Sequence, residues 1–213
     1  MSDDKSLDLL VSSLTEDLSP VHPLAHPAVR ALPWLLLSIL YAVGVVVFLG
    51  LRPDLPYKLH SAEFLFEIGL AFFTGVTAAL CALWMCVPDM RGQVWLPAVP
   101  LTALAIFLFW CVLEASTEGL LLPAPHWDHC FEDGLLLGAF PAAFILFITR
   151  KGMTTKPRMM GFMAVLAVGA FGYVGLRLTC MLDTIGHAGI YHVLPFVTLG
   201  TLFGLAARRI YRW

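Results

Sequence analysis

The sequence predicts an all-α integral membrane protein: a bundle of six transmembrane helices with both the N-terminus and the C-terminus cytoplasmic. Three observations predict it. First, the 213 residues are 59% hydrophobic and only 13% charged, with mean hydropathy +0.83. A water-soluble domain of this size does not need that much apolar surface. Second, six apolar runs approach or exceed the ~18 residues that read as a spanning helix. Third, the basic residues are divided unevenly among the loops. With the N-terminus inside, ten of the thirteen Lys and Arg fall inside: Lys5, Arg30, Arg91, Arg150, Lys151, Lys156, Arg158, Arg208, Arg209 and Arg212. Only Arg52, Lys58 and Arg177 fall outside. Cytoplasmic loops are enriched in Lys and Arg, and that bias sets orientation. Nine of the fifteen acids fall outside, and the net charge is −2. The lipid bilayer is an expected partner, and no direct nucleic-acid partner is expected.

Residues 1–19 can form a short helix. Leu7, Leu10, Val11, Leu14 and Leu18 recur at helical spacing on one face, with Asp8, Ser12, Ser13, Glu16 and Asp17 around most of the rest. Pro20 ends it, because proline cannot continue a helix and restricts the residue before it. The following Pro-Val-His-Pro-Leu-Ala-His-Pro is a stiff, extended connector. Residues 1–30 therefore form a cytoplasmic tail and 31–213 a transmembrane domain. No cleavable signal peptide is expected, since the first residues are acidic and the first apolar run starts near Ala31.

The six spans are expected near Ala31–Leu51, Phe64–Val87, Trp95–Leu113, Gly134–Thr149, Met159–Leu178 and Ile190–Ala207. The fourth is short and contains Pro141. Trp95 and Trp110 lie near the two ends of the third, where amphipathic aromatics prefer to sit. Gly161, Gly169, Gly172 and Gly175 crowd the fifth span, and Gly200 and Gly204 form a Gly-x-x-x-Gly in the sixth. Such small residues allow close helix contact. They serve either packing inside the bundle, the favoured reading, or a homodimer face.

Five cysteines are present. Cys81, Cys86 and Cys111 lie within or near the ends of apolar runs, where a thiol behaves as a small hydrophobe. Cys130, just before the fourth span, and Cys180, just after the fifth, both reach the outer boundary. In a bacterial cell that is the periplasm, where disulfides form and persist. They are a redox-active pair, a permanent structural disulfide or two unrelated thiols; spacing alone does not choose. His126-Trp-Asp-His129-Cys130 gathers two imidazoles, a carboxylate and a thiol, and Asp183 and His187 follow Cys180 at helical spacing. Imidazole and thiolate suit zinc and copper, so His126, His129, Asp183 and His187 are candidate metal ligands. The competing reading is the polar surface of an outer loop, since no standard zinc spacing occurs. No resident cofactor is expected beyond a heavy-metal ion held transiently at the outer cysteines.

Several classes are disfavoured. No Cys-x-x-Cys appears, against a thiol oxidoreductase of the usual kind. No histidine lies at the centre of a span, against a haem held between helices. No acid or base sits at mid-membrane, where transporters and proton relays need one. No P-loop or nucleophile elbow is present. The chain is not read as an enzyme.

Several stretches together resemble one family. They are Leu-Thr-Glu-Asp-Leu-Ser-Pro-Val-His-Pro-Leu at 14–24, Leu-Gly-Leu-Arg-Pro-Asp-Leu at 49–55, Cys-Val-Pro-Asp at 86–89, one cysteine before the fourth span and one after the fifth. The sequence is similar over essentially its whole length to the six-span membrane anti-sigma factors called negative regulators of sigma F. These are bacterial inner-membrane proteins that hold an extracytoplasmic-function (ECF) sigma factor. The resemblance implies that Leu7, Leu10, Val11, Leu14, Asp17, Leu18 and Pro20 belong to a sigma-binding tail, and that Cys130 and Cys180 are stress-sensing thiols. An amphipathic helix in a partner's groove presents anchors at such spacing. The histidine-rich segment 126–133 leaves open whether a metal or an oxidant is the signal. The alternative function is a small membrane thiol–disulfide enzyme or metal carrier that uses the outer Cys/His cluster.

Overall fold

The computed structural model describes residues 2–16, 25–87, 93, 95–118 and 129–211. Helix dominates, and no strand occurs among the described residues. In chain order the helices are α1 (Ser2–Glu16), α2 (Pro27–Leu49), α3 (Leu55–Lys58), α4 (Ala62–Trp84), α5 (Trp95–Glu118), α6 (Cys130–Arg150), α7 (Pro157–Thr179), α8 (Ile185–His187) and α9 (Leu194–Ile210). A π-helical segment, Ala188–Val193, joins α8 to α9. Six helices are long and apolar enough to cross a membrane: α2, α4, α5, α6, α7 and the continuous run Ile185–Ile210.

The span limits differ from expectation where polar residues occupy a helix end. The fourth span starts at Cys130 and is 20 residues long rather than short. Glu132 and Asp133 lie in its first turn, where negative charge is favourable against the helix dipole, so these acids belong to the helix rather than to a loop. The sixth reaches back to Ile185 and takes in His187 and His192. Pro27 opens α2 at a position where proline costs nothing, and His26 Nδ1 accepts a hydrogen bond from the Ala28 N–H at 3.3 Å.

Helix α7 is the axis of the bundle. Its span is 72% buried, against 22–39% for the other five. It packs on α4, α9, α6 and α2. Its glycines are the reason neighbours come so close. A Cβ at Gly169 would lie 2.6 Å from Phe196 Cβ, and one at Gly175 would lie 2.8 Å from the Leu137 side chain. Gly200 and Gly204 of α9 face Val165, Phe162 and the Arg158 carbonyl of α7. The Gly-x-x-x-Gly is thus used for packing within the chain, and this face is not open to a second copy. Apolar side chains such as Leu40, Val47, Phe109 and Leu205 stand exposed on the outer faces, a surface that suits lipid.

The bundle has two dissimilar ends. At one, Arg30 Nη2 donates to the Ile148 carbonyl at 3.0 Å, Cys86 packs beside Met160, and the Thr149 and Tyr211 hydroxyls are 2.9 Å apart. At the other, α6 begins and α7 ends, and there the chain assembles thiols, imidazoles and ion pairs.

Candidate functional site

Cys130 is the first residue of α6, and Cys180 follows the last residue of α7. The two helices are antiparallel neighbours, so their ends meet. Cys130 Sγ lies 3.3 Å from Cys180 Sγ, a hydrogen-bond contact between two thiols. At Cys180 the backbone turns extended, with ψ 132°, and folds back so that the Leu182 N–H points at Cys180 Sγ from 3.4 Å. His187 Nε2 is 3.5 Å from the same sulfur. The hydrogen bond from Cys130 holds the Cys180 thiol well below the usual thiol range, assisted by the His192 ring and the Leu182 N–H and opposed by burial. Donors aimed at a sulfur favour its anionic form.

The π-helical segment supplies the second imidazole. In an α-helix of 3.6 residues per turn, positions five apart point in different directions. A π-helix closes i to i+5, and here the Leu194 N–H bonds to the Gly189 carbonyl. The widened turn brings His187 and His192 together, with ring centroids 5.0 Å apart. Both rings are buried. His192 has no well-aligned hydrogen bond among the described residues, and its polar interaction is with the Cys180 sulfur. One ligand atom from each of Cys130, Cys180, His187 and His192 lies within 4.8 Å of the others.

A second cluster stands beside the first. Arg52, 2% exposed, donates to both oxygens of Asp54 and both oxygens of Asp183 at 2.7–2.9 Å. Asp183 also accepts from Lys58 at 2.7 Å and from Arg177 at 2.8 Å. Arg177 reaches Glu67 of α4 at 3.0 Å, and Tyr173 donates to the same carboxylate. Burial alone would raise Asp183; the hydrogen bonds from Arg52, Lys58 and Arg177 outweigh it and hold the carboxyl well below its usual range. Asp54 and Asp183 in turn fix Arg52 in its charged form. The Arg52 backbone N–H also bonds to the Leu178 carbonyl at 3.1 Å. The exit of α2, the start of α4 and the chain after Cys180 are therefore tied together.

The candidate residues divide clearly. Cys130, Cys180 and His187 come together. His129 does not join them: its side chain is 83% exposed and faces Glu132 at 3.5 Å. Asp183 does not join them either, because the chain leaves the helix at Cys180 and does not resume one until Ile185. The helical spacing expected from Cys180 to Asp183 does not exist, and both carboxylate oxygens are taken by cations. His126 lies outside the described residues, as do Asp17, Leu18 and Pro20 of the tail. Leu7, Leu10, Val11 and Leu14 lie on α1, all exposed. Sequence reasoning counts His192 among the outer histidines but not among the candidate ligands, since only the π-helical segment puts it beside His187. Arg52, Lys58 and Arg177 do carry a signal: they are the three cations on the wrong side of the charge count, and each is held by an acid.

Chemically, two adjoining thiols with imidazoles can be oxidised to a disulfide or can capture a thiophilic cation. Either event would pull on the ends of α6 and α7. Comparison with known proteins bears on the role. The family model described as "Negative regulator of sigma F" matches residues 14–213. No curated protein and no solved structure matches the chain. With six helices long and apolar enough to cross a membrane and a family match over nearly the whole length, the chain belongs to the negative regulator of sigma F family, whose description implies a sigma factor as partner.

Proposed function

We propose that this protein is an anti-sigma factor of the bacterial inner membrane that sequesters an ECF sigma factor through residues 1–30 and releases it when Cys130 and Cys180 are oxidised or capture a heavy metal. One observation carries this reading above the others. Leu7, Leu10, Val11 and Leu14 of α1 are all more than half exposed, on a helix of only 15 residues. An isolated helix of about 12–15 residues is marginal in water, so an apolar row of this kind calls for a partner's groove. The acids of the tail suit the basic surface that a sigma factor turns to DNA.

The sensing half rests on the thiol contact. The tail is cytoplasmic by the positive-inside rule, because Arg150, Lys151, Lys156, Arg158, Arg208 and Arg209 belong to the helix ends and loop away from the thiols. The thiols then face the periplasm. A signal that favours one arrangement of α6 and α7 by about 2–3 kcal/mol changes the bound fraction substantially. Residues 31–213 form the sensor.

The test is co-purification of the sigma factor with the full-length protein in detergent. Wild type retains it, and Leu14→Asp with Leu10→Asp loses it. Retention by the double variant at wild-type level contradicts the tail assignment. The buried Cys/His cluster also suits a membrane thiol–disulfide enzyme or metal carrier. That reading predicts function after deletion of residues 1–28, which the anti-sigma reading predicts to be lost.

A further inference from the structure

We infer that Cys130, Cys180, His187 and His192 form a single tetrahedral S2N2 site for a divalent, thiophilic d10 cation of the Zn2+ or Cd2+ kind. This deepens the sensing half of the proposed function by naming the ligand set and the ion class. It does not depend on the sigma factor.

The geometry is close to that of a bound ion. Zinc bonds of about 2.3 Å to sulfur and about 2.0–2.1 Å to nitrogen place tetrahedral ligand atoms about 3.4–3.8 Å apart. Here the two sulfurs are 3.3 Å apart, Cys180 Sγ and His187 Nε2 are 3.5 Å apart, and all four ligand atoms lie within 4.8 Å of one another. Adjustments on the order of 1 Å complete the shell.

His192 is the second, independent observation. Its side chain is fully buried, no well-aligned hydrogen bond reaches either ring nitrogen among the described residues, and its polar interaction is with the Cys180 sulfur itself. The π-helical segment that creates this situation also turns the ring to the thiols, and such bulges inside helices accompany functional sites. A cation held by one ring nitrogen and by the Cys180 thiolate would replace that contact with two metal–ligand bonds.

Charge selects the valence. Two thiolates balance a divalent ion, and the two imidazoles bind neutral, so the loaded site carries no net charge. A monovalent ion would leave one uncompensated negative charge in a buried site, which is costly. The nearest cations cannot supply the balance, because Arg52, Lys58 and Arg177 are already engaged by Asp54, Asp183 and Glu67. Binding forms two metal–sulfur and two metal–nitrogen bonds, and any thiol proton still present is released to water. The soft thiolates exclude Mg2+ and Ca2+.

The experiment is titration of the reduced, full-length protein in detergent with Co2+, whose visible spectrum reports tetrahedral thiolate coordination, followed by displacement with Zn2+, Cd2+ and Mg2+. The expected result is one equivalent per chain with thiolate charge-transfer absorption, displacement by Zn2+ and Cd2+, and none by Mg2+. His192→Ala should weaken binding by at least about 100-fold, the upper end of what loss of an outer-shell partner costs. His192→Cys should restore binding with stronger charge-transfer absorption, which separates a lost ligand from a misfolded chain. His129→Ala should change nothing. Absence of tetrahedral Co2+ binding by wild type, or an unchanged spectrum and affinity in His192→Ala, overturns the site. Failure of the titration leaves sigma-factor capture untouched, and failure of capture leaves the titration untouched.

Discussion

Cys86 and Cys180 are both buried thiols just past the end of a transmembrane helix, and they are opposites. Cys86 follows α4, and its Sγ lies 3.6 Å from the Ala82 carbonyl, 3.8 Å from the Thr149 carbonyl and 3.6 Å from Met160 Sδ. Burial pushes this thiol up and keeps it protonated, against the nearby Arg30 guanidinium, and the thiol donates to the carbonyl acceptors around it. Cys180 follows α7, and its neighbours donate to it. Burial alone therefore does not decide what a cysteine does here. The balance between burial and the donors aimed at the sulfur does. A donating thiol packs like a small hydrophobe, and an accepting one is poised for metal or oxidant.

The largest effect should come from exchanging the sulfurs themselves. Cys130→Ser with Cys180→Ser should abolish signal-driven release of the sigma factor, while Cys86→Ser leaves release intact, as read by a sigma-dependent reporter. An equal loss from Cys86→Ser would erase the distinction between the two ends.

Removing Arg52 comes next. It is a fully buried cation with two acid partners, and breaking such a pair from one side costs about 3–5 kcal/mol. Arg52→Met should lower unfolding stability in detergent by about that much, whereas Arg30→Met, which loses a hydrogen bond from a charged group to a carbonyl, should cost about 1.5–3 kcal/mol. Because the Arg52 side chain holds Asp183, just beyond Cys180, its loss should also blunt the response to a signal at Cys180.

Thiol labelling sharpens the comparison further. The donors on Cys180 hold its thiol below the usual range, so its reaction with a small methanethiosulfonate should be nearly flat from about pH 5 to 8. Labelling of Cys86 should rise about tenfold per pH unit over that range, since its thiolate fraction is what changes. The smallest effect expected is Cys86→Ala, an apolar truncation costing about 1 kcal/mol or little more in thermal unfolding.

The spans are legible in the sequence because an apolar run of membrane length has few uses besides crossing a bilayer. Their ends are not, because Glu132 and Asp133 read as loop although they favour a helix N-terminus. The thiol pair is legible as two cysteines at one boundary, but the composition of the cluster around it is not. Asp183 looks like a ligand only while the chain is taken as helical through Cys180. His192 cannot be chosen, since the spacing from His187 faces two ways on any α-helix. A one-residue widening of the helix is a tertiary event that no pattern in the sequence announces. Gly200 and Gly204 show the same limit: the motif specifies close packing and leaves the packing partner unspecified.

The most direct measurement is retention of the sigma factor on the full-length protein in membranes, before and after exposure to cadmium or peroxide, for wild type and for Cys130→Ser with Cys180→Ser. Wild type should hold the sigma factor at rest and lose it on exposure, and the double variant should hold it throughout. Release from the double variant to the same extent as from wild type would contradict a signal received at these two thiols.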